Sequence, residues 1–199
     1  MPRPIEFDRN KALSDAMQLF WRKGYHLTSV RELTAATQLK PGSLYGAFNN
    51  KQTLFLQALD YYSFSLHASA DRILSSDKPP LARIHTFFDW ILAGITGDND
   101  QRGCLLVNTL LETPPKETEI IRRATEGLRY MEQRFRELLD TAKAEGSLPP
   151  DYDSEAQASL LMMGIFGLRV YARMEPSRQR LQNIIGQLLE VVGVDKMCR

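Results

Sequence analysis

Two short stretches hold the residues that could do chemistry. The first, LKPGSLYGAFNNK, runs from Leu39 to Lys51. It places Lys40, Ser43, Tyr45 and Lys51 among a proline and two glycines. Ammonium, hydroxyl and phenol groups on a slim surface suit phosphate oxygens and base edges, not bond breaking. The second stretch, DQRGCLLVNTLLE, puts Cys104 at the start of a helical pattern. A helix N-terminus with an arginine nearby, here Arg102, favours the thiolate, as an electrophile or oxidant sensor requires. The other fate of such a cysteine is that of a small buried hydrophobe.

Other chemistry finds little support. Cys104 and Cys198 are far apart and fit neither a disulfide framework nor a zinc spacing. His26, His67 and His85 are scattered, with no i, i+4 pair. A site joining His67 or His85 to Cys104 has no supporting spacing, so no metal and no cofactor is expected. GxSxG, HExxH, P-loop and dinucleotide fingerprints are absent, which argues against an enzyme. No apolar run approaches the roughly 18–20 residues of a membrane span. The opening MPRPIEFDRN lacks an apolar signal core, so the expected location is cytoplasmic, with no membrane partner.

The charge is uneven. Residues 1–51 hold eight lysines and arginines against four aspartates and glutamates, in a chain of net charge +1. A basic head on a slightly acidic body suggests a local contact with a polyanion.

The elements that must position these residues read as helices almost throughout. Leu13, Ala16, Met17, Phe20 and Trp21 share one face of a first helix, with Asp8 as cap and Gly24 as stop. A second begins at TSVREL, with Thr28 or Ser29 as cap and Glu32 placed for a capping box. Its apolar positions are Val30, Leu33 and Ala36. After the break TQLKPG comes the short helix of the first stretch. Longer helices follow: about 51–75, 81–95, 104–112, a long one ending near Glu145, 154–174 and 176–192. The fold class is therefore all-α.

Two helices joined by a tight turn, the second short and facing outward, make a helix-turn-helix. Leu39, Leu44 and Phe48 anchor the short helix. Lys40, Gly42, Ser43, Tyr45 and Gly46 face a major groove about 12 Å wide. Pro41 suits the first turn, where its missing N–H has no consequence. Gly42 permits a close phosphate approach. Tyr45 can place its hydroxyl on a phosphate, and Lys51 opens the next helix.

The segment TSVRELTAATQLKPGSLYGAFNNKQTLF, Thr28 to Phe55, resembles the DNA-binding signature of the tetracycline-repressor family of bacterial transcriptional regulators. The shared pattern is a Thr/Ser cap, an aliphatic position, the turn, then Gly-Ser-Leu-Tyr, an aromatic and a Lys. The preceding ALSDAMQLFWRKGYHLTS is similar to that family's first helix, so the resemblance covers about residues 8–55. Two departures stand out. Thr37 and Gln38 occupy a turn that often carries Ala-Gly, so either a non-glycine residue takes positive φ or the turn differs. YGAF has small residues where a His or aromatic is common.

The resemblance implies a homodimer with two helix-turn-helix heads on a double-stranded, palindromic DNA operator, usually as a repressor. It carries Thr28, Ser29, Lys40, Pro41, Gly42, Ser43, Tyr45 and Lys51 over as DNA-contacting positions. Arg31, and Arg3 in a terminal arm, are added on charge. The division it implies is residues 1–50 for DNA binding and 51–199 for ligand sensing and dimerisation.

In the body, the last two helices are apolar over much of their circumference. Leu161, Ile165, Leu168, Leu181, Ile185 and Leu188 are expected to pair with a second copy in a four-helix bundle. Phe87, Trp90, Ile91, Met131, Phe135, Met162 and Phe166 are expected to line an adaptable cavity for a small hydrophobic or electrophilic ligand, with Cys104 as the reactive member. The alternative is a helical protein-interaction adaptor without DNA binding. That would explain an apolar bundle but not the basic head.

Overall fold

A computed structural model describes residues 7–97, 102–175 and 177–194. Arg3 and Cys198 lie outside the described residues. Regular structure among the described residues is helical: α1 (Arg9–Lys23), α2 (Val30–Thr37), α3 (Pro41–Phe48), α4 (Lys51–Leu74), α5 (Pro80–Thr96), α6 (Leu105–Glu112), α7 (Thr118–Ala144), α8 (Ser154–Met174) and α9 (Arg178–Val191). No described helix is long and apolar enough to cross a membrane. The chain forms two compact units. One comprises residues 1–65 and 105–127, the other 66–104 and 128–199. The division falls inside α4 and α7, unlike a partition after residue 50.

In the first unit, local signals set each helix end. Asp8 caps α1, its carboxylate accepting from the Asn10 and Lys11 amides at 2.9 and 3.0 Å. Gly24 ends α1 at φ +78°, a conformation that favours glycine. Ser29, not Thr28, caps α2. Ser29 Oγ accepts from the Glu32 amide at 3.3 Å, and the Ser29 amide donates to Glu32 Oε2 at 2.9 Å. This is a complete capping box. Lys23 Nζ holds the other Glu32 oxygen.

The turn after α2 takes the first of the two routes open to it. Gln38 adopts φ 57°, ψ 23°, the left-handed conformation. Pro41 then occupies the first position of α3, and Asn49 ends it at φ 66°. Asn50 Oδ1 accepts from the Thr53 amide at 2.8 Å and starts α4.

Burial orders these helices against one another. Leu33, Leu44 and Phe48 are 0–1% exposed. Phe20 meets Phe55 edge-on at 4.9 Å, and Tyr25 stacks on Phe55 at 4.7 Å.

The second unit is built on one apolar core from α5, α8, α9 and the later parts of α4 and α7. Phe87 packs edge-on against Phe135 at 5.2 Å. A polar seam ties α4 to α7. Tyr130 donates to Asp71 at 2.6 Å, Arg134 Nε to Asp71 at 3.0 Å and Arg134 Nη2 to Ser75 at 2.9 Å. Gly164 lets α9 approach α8 closely: a Cβ there would stand 2.1 Å from Leu188 Cδ2.

This packing corrects the expected dimer face. Leu161, Ile165, Leu168, Leu181 and Ile185 are buried in the core of their own chain, and Leu188 fills the notch at Gly164. The outward apolar stripe is a different set. Met163 (59% exposed), Val170 (57%) and Met174 (76%) follow one another along α8 with Gly167 among them, and Val191 (72%) faces out from α9. The helical period has two apolar faces here, and composition does not say which one turns inward.

Two outcomes follow from the local geometry. Gln38→Val should lower unfolding free energy by about 1–2 kcal/mol, because a β-branched residue is strained at positive φ, whereas Gln38→Gly should not destabilise. Urea denaturation of the three proteins measures this. The Glu32 carboxyl is held down at about 2, first by Lys23 and then by Ser29. A depressed carboxylate stabilises the fold above its ordinary pKa of 4.5, and that contribution is lost as pH falls from there towards 2. The group faces solvent, so the effect is screened by salt. Thermal melts across pH 2–5 should therefore show a shallower acid limb for Glu32→Gln than for wild type, with the difference shrinking at roughly 1 M salt.

Candidate nucleic-acid interface and ligand cavity

The first unit presents α3 with one face in and one face out. Leu44 and Phe48 point inward, and Leu39 is half-buried. The Arg9 guanidinium lies 4.8 Å over the Phe48 ring and donates to Gln57, fixing the base of the helix. Lys40, Pro41, Gly42 and Gly46 are exposed, with Ser43 and Tyr45 half-buried. No side chain caps the N-terminus of α3, so its first amides are not taken by a cap. A Cβ built on Gly42 or on Gly46 meets nothing within 4 Å. Neither glycine is needed for positive φ or for packing within the chain. Each nonetheless weakens a helix of eight residues relative to alanine. Arg31 and Ser29 are exposed at the start of α2.

Two expected members of this face are turned away from it. Thr28 is 1% exposed, and its hydroxyl donates to the Gly24 carbonyl at 2.7 Å. It braces the α1–α2 loop and has no surface for DNA. Lys51 is drawn inward, with Nζ 3.5 Å from the His26 carbonyl and 4.6 Å above the Tyr25 ring. Burial pushes the Lys51 ammonium pKa down, and the charge of Glu117 works against that shift. Glu117 also lies 3.5 Å from His26. The loop before α7 thus reaches the α1–α2 loop inside this unit. Sequence spacing had no means of showing it, since Glu117 is 91 residues from His26.

The second unit contains an apolar cavity of about 30 Å³. Phe87, Ile91, Cys104, Met131, Met162 and Phe166 are among its lining residues. Trp90 and Phe135 are not. Phe135 is fully buried behind Phe87, and Trp90 packs on Phe87 at 5.4 Å. Core aromatics and cavity aromatics share one periodicity, so sequence did not separate them. Ile165, expected at the dimer face, lines the cavity instead. Leu66, Leu128 and Arg169 complete the wall and were missed. Arg169 had a signal: it is a charge set inside the apolar run LLMMGIFGLRVY. Cys104 is 6% exposed and immediately precedes α6. It is a buried thiol on an apolar wall, closer to the hydrophobe than to a solvent-facing sensor. The histidines are dispersed: His67 stacks on Tyr130 at 4.1 Å, and His85 lies 3.4 Å from Asp89. Among the described residues no three His, Cys, Asp or Glu side chains converge to hold a metal ion.

Comparison with known proteins identifies the family of the chain. The family of bacterial regulatory proteins of the tetR type matches residues 12–58, and the tetracyclin repressor-like C-terminal domain matches residues 80–188. The HTH-type transcriptional repressor ComR of Escherichia coli (strain K12) is 30% identical over 190 residues, spanning 95% of this chain and 90% of ComR. The HTH-type transcriptional repressor DhaR of Mycobacterium sp. (strain GP1) is 26% identical over 188 residues, spanning 92% and 91%. Among solved structures, a cysteine mutant of the regulator CifR complexed with 26-base-pair double-strand operator DNA is 31% identical. It superimposes with a TM-score of 0.86, covering 94% of this chain and 98% of CifR. This chain belongs to the tetR family of bacterial regulatory proteins and is a DNA-binding transcriptional regulator.

Proposed function

We propose that the protein is a homodimeric cytoplasmic repressor that binds a palindromic operator through α3 and is released by a small apolar or electrophilic molecule. It acts by binding, without turnover. The observation that carries this reading is the outward face of α3: exposed Lys40, an uncapped helix start, and two glycines with no role inside the chain. Such a face lets backbone and hydroxyl donors reach phosphates and base edges at short range. Ser29, Arg31, Lys40, Pro41, Gly42, Ser43 and Tyr45 form the contact surface. Lys51 supports it from behind, through the α1–α2 loop.

A second copy covers Met163, Val170, Met174 and Val191. Four large apolar side chains at 57–76% exposure on two adjacent helices favour burial in a symmetric interface. Dimerisation sets the two α3 helices about 34–36 Å apart, one turn of DNA. A ligand in the cavity changes that spacing through α4 and α7, which run through both units. A coupling of about 1–3 kcal/mol is enough for a useful change in affinity.

Gel shifts with DNA from upstream of the protein's own gene test the reading. Operator affinity should fall steeply with salt, with a log–log slope near −0.9 for each phosphate neutralised. A helical adaptor would give no such complex. Lys40→Ala should reduce affinity and lower that slope by about one. Gly46→Ala should stabilise the fold by about 0.5–1 kcal/mol yet weaken operator binding, because the added methyl stands only in the path of DNA. Equal or tighter binding by that variant would remove Gly46 from the contact surface. The double variant Met163→Glu, Val170→Glu should sediment as a monomer and lose operator binding together, whereas Leu161→Ala should reduce stability by about 2–5 kcal/mol as a core cavity does.

A further inference from the structure

The cavity of the second unit has one charged side chain in its wall. Arg169 lies among Leu66, Phe87, Ile91, Leu128, Met131, Met162, Ile165 and Phe166. A guanidinium has five donors. Among the described residues its hydrogen bond is to the Gly103 carbonyl, at a long 3.4 Å, and no described carboxylate is paired with it. Arg169 is half-buried, and drawing a charge further against apolar walls is costly unless the charge gains a partner.

We propose that this cavity takes a small molecule with an apolar body and a single carboxylate, and that Arg169 is the anchor for the carboxylate. The size of the cavity supplies the second half of the argument. At about 30 Å³ it has room for about two water molecules, so a ligand of drug-like size must displace lining side chains. Phe87 and Ile91 are 2–3% exposed and packed into the core. Met131, Met162 and Arg169 are the long, unbranched members, and they give way most readily. The carboxylate offers Arg169 two short bonds to a charged acceptor in place of one long bond to an uncharged carbonyl. Arg169 then leaves Gly103, which precedes Cys104 and the start of α6. Ligand capture and release of the Gly103–Cys104 segment are the same event. The inference rests on the ligand-released reading above and names the ligand class and the side chain that reports occupancy.

The test uses the full chain and four probes: hexanoate and octanoate, with hexanamide and octanamide as neutral counterparts. Calorimetric titration of wild type should show saturable binding of the carboxylates, tighter than the amides by about ten-fold or more, as a charge-assisted bond provides. Arg169→Gln should erase that difference, and Arg169→Lys, which keeps the charge, should retain part of it. Circular dichroism checks that both variants fold. Hydrogen exchange at Gly103 and Cys104 should accelerate when octanoate is bound to wild type. Equal affinity for acid and amide overturns the proposal, as does carboxylate binding that is unchanged in Arg169→Gln or absent from wild type. Operator gel shifts with the same probes separate this from the broader reading. Amides that release DNA as well as acids do leave ligand release standing and remove the anchor. Carboxylates that bind through Arg169 without affecting DNA keep the anchor and remove the gating.

Discussion

An eight-residue helix has no stability of its own in water. That constraint governs the DNA-binding unit. α3 spans Pro41–Phe48 and contains two glycines, so local propensity works against it. It persists because Leu44 and Phe48 are completely buried, with Leu33 of α2 buried in the same way. Arg9 reaches across from α1 to lie over Phe48. With its stability supplied from behind, α3 can keep its outer face small and polar. A longer or more helical sequence there would fold more easily and present a bulkier surface to a groove.

The same division of labour appears in the loops. Thr28 and Lys51 belong to the family's DNA-binding signature, yet both are spent on the α1–α2 loop here. They shape the platform from which Ser29 and Arg31 emerge. Gln38 accepts left-handed geometry at the turn for the same end. A strained single residue is tolerated where the surrounding burial over-determines it. The chain thus places its local strain at the turn that aims α3.

In the second unit the governing term is the contrast between an apolar wall and one guanidinium. Most cavity residues are interchangeable with core residues in type and period. Arg169 is not, because it brings a half-buried charge to an otherwise apolar wall. The unit also shows how an apolar surface is apportioned. α8 has an inner face of Leu161, Ile165 and Leu168, and an outer stripe of Met163, Val170 and Met174. Gly164 allows Leu188 of α9 to close on the inner side.

By itself the sequence determined the helical fold class, the order of the helices and most of their ends. Asp8, Gly24, the Ser29–Glu32 box and Pro41 act through bonds and torsions within a few residues, so a linear reading captures them. It also determined the family, because the signature from Thr28 to Phe55 depends on spacing along one segment. Only the tertiary structure decided which side of α8 faces inward, that Trp90 and Phe135 stand behind the cavity wall, and that Arg169 stands in it beside Cys104. It also turned Thr28 and Lys51 away from the exposed face. Each of these depends on which helix covers which face. Burial is settled by neighbours distant in sequence, and helical periodicity specifies a face without naming what will cover it.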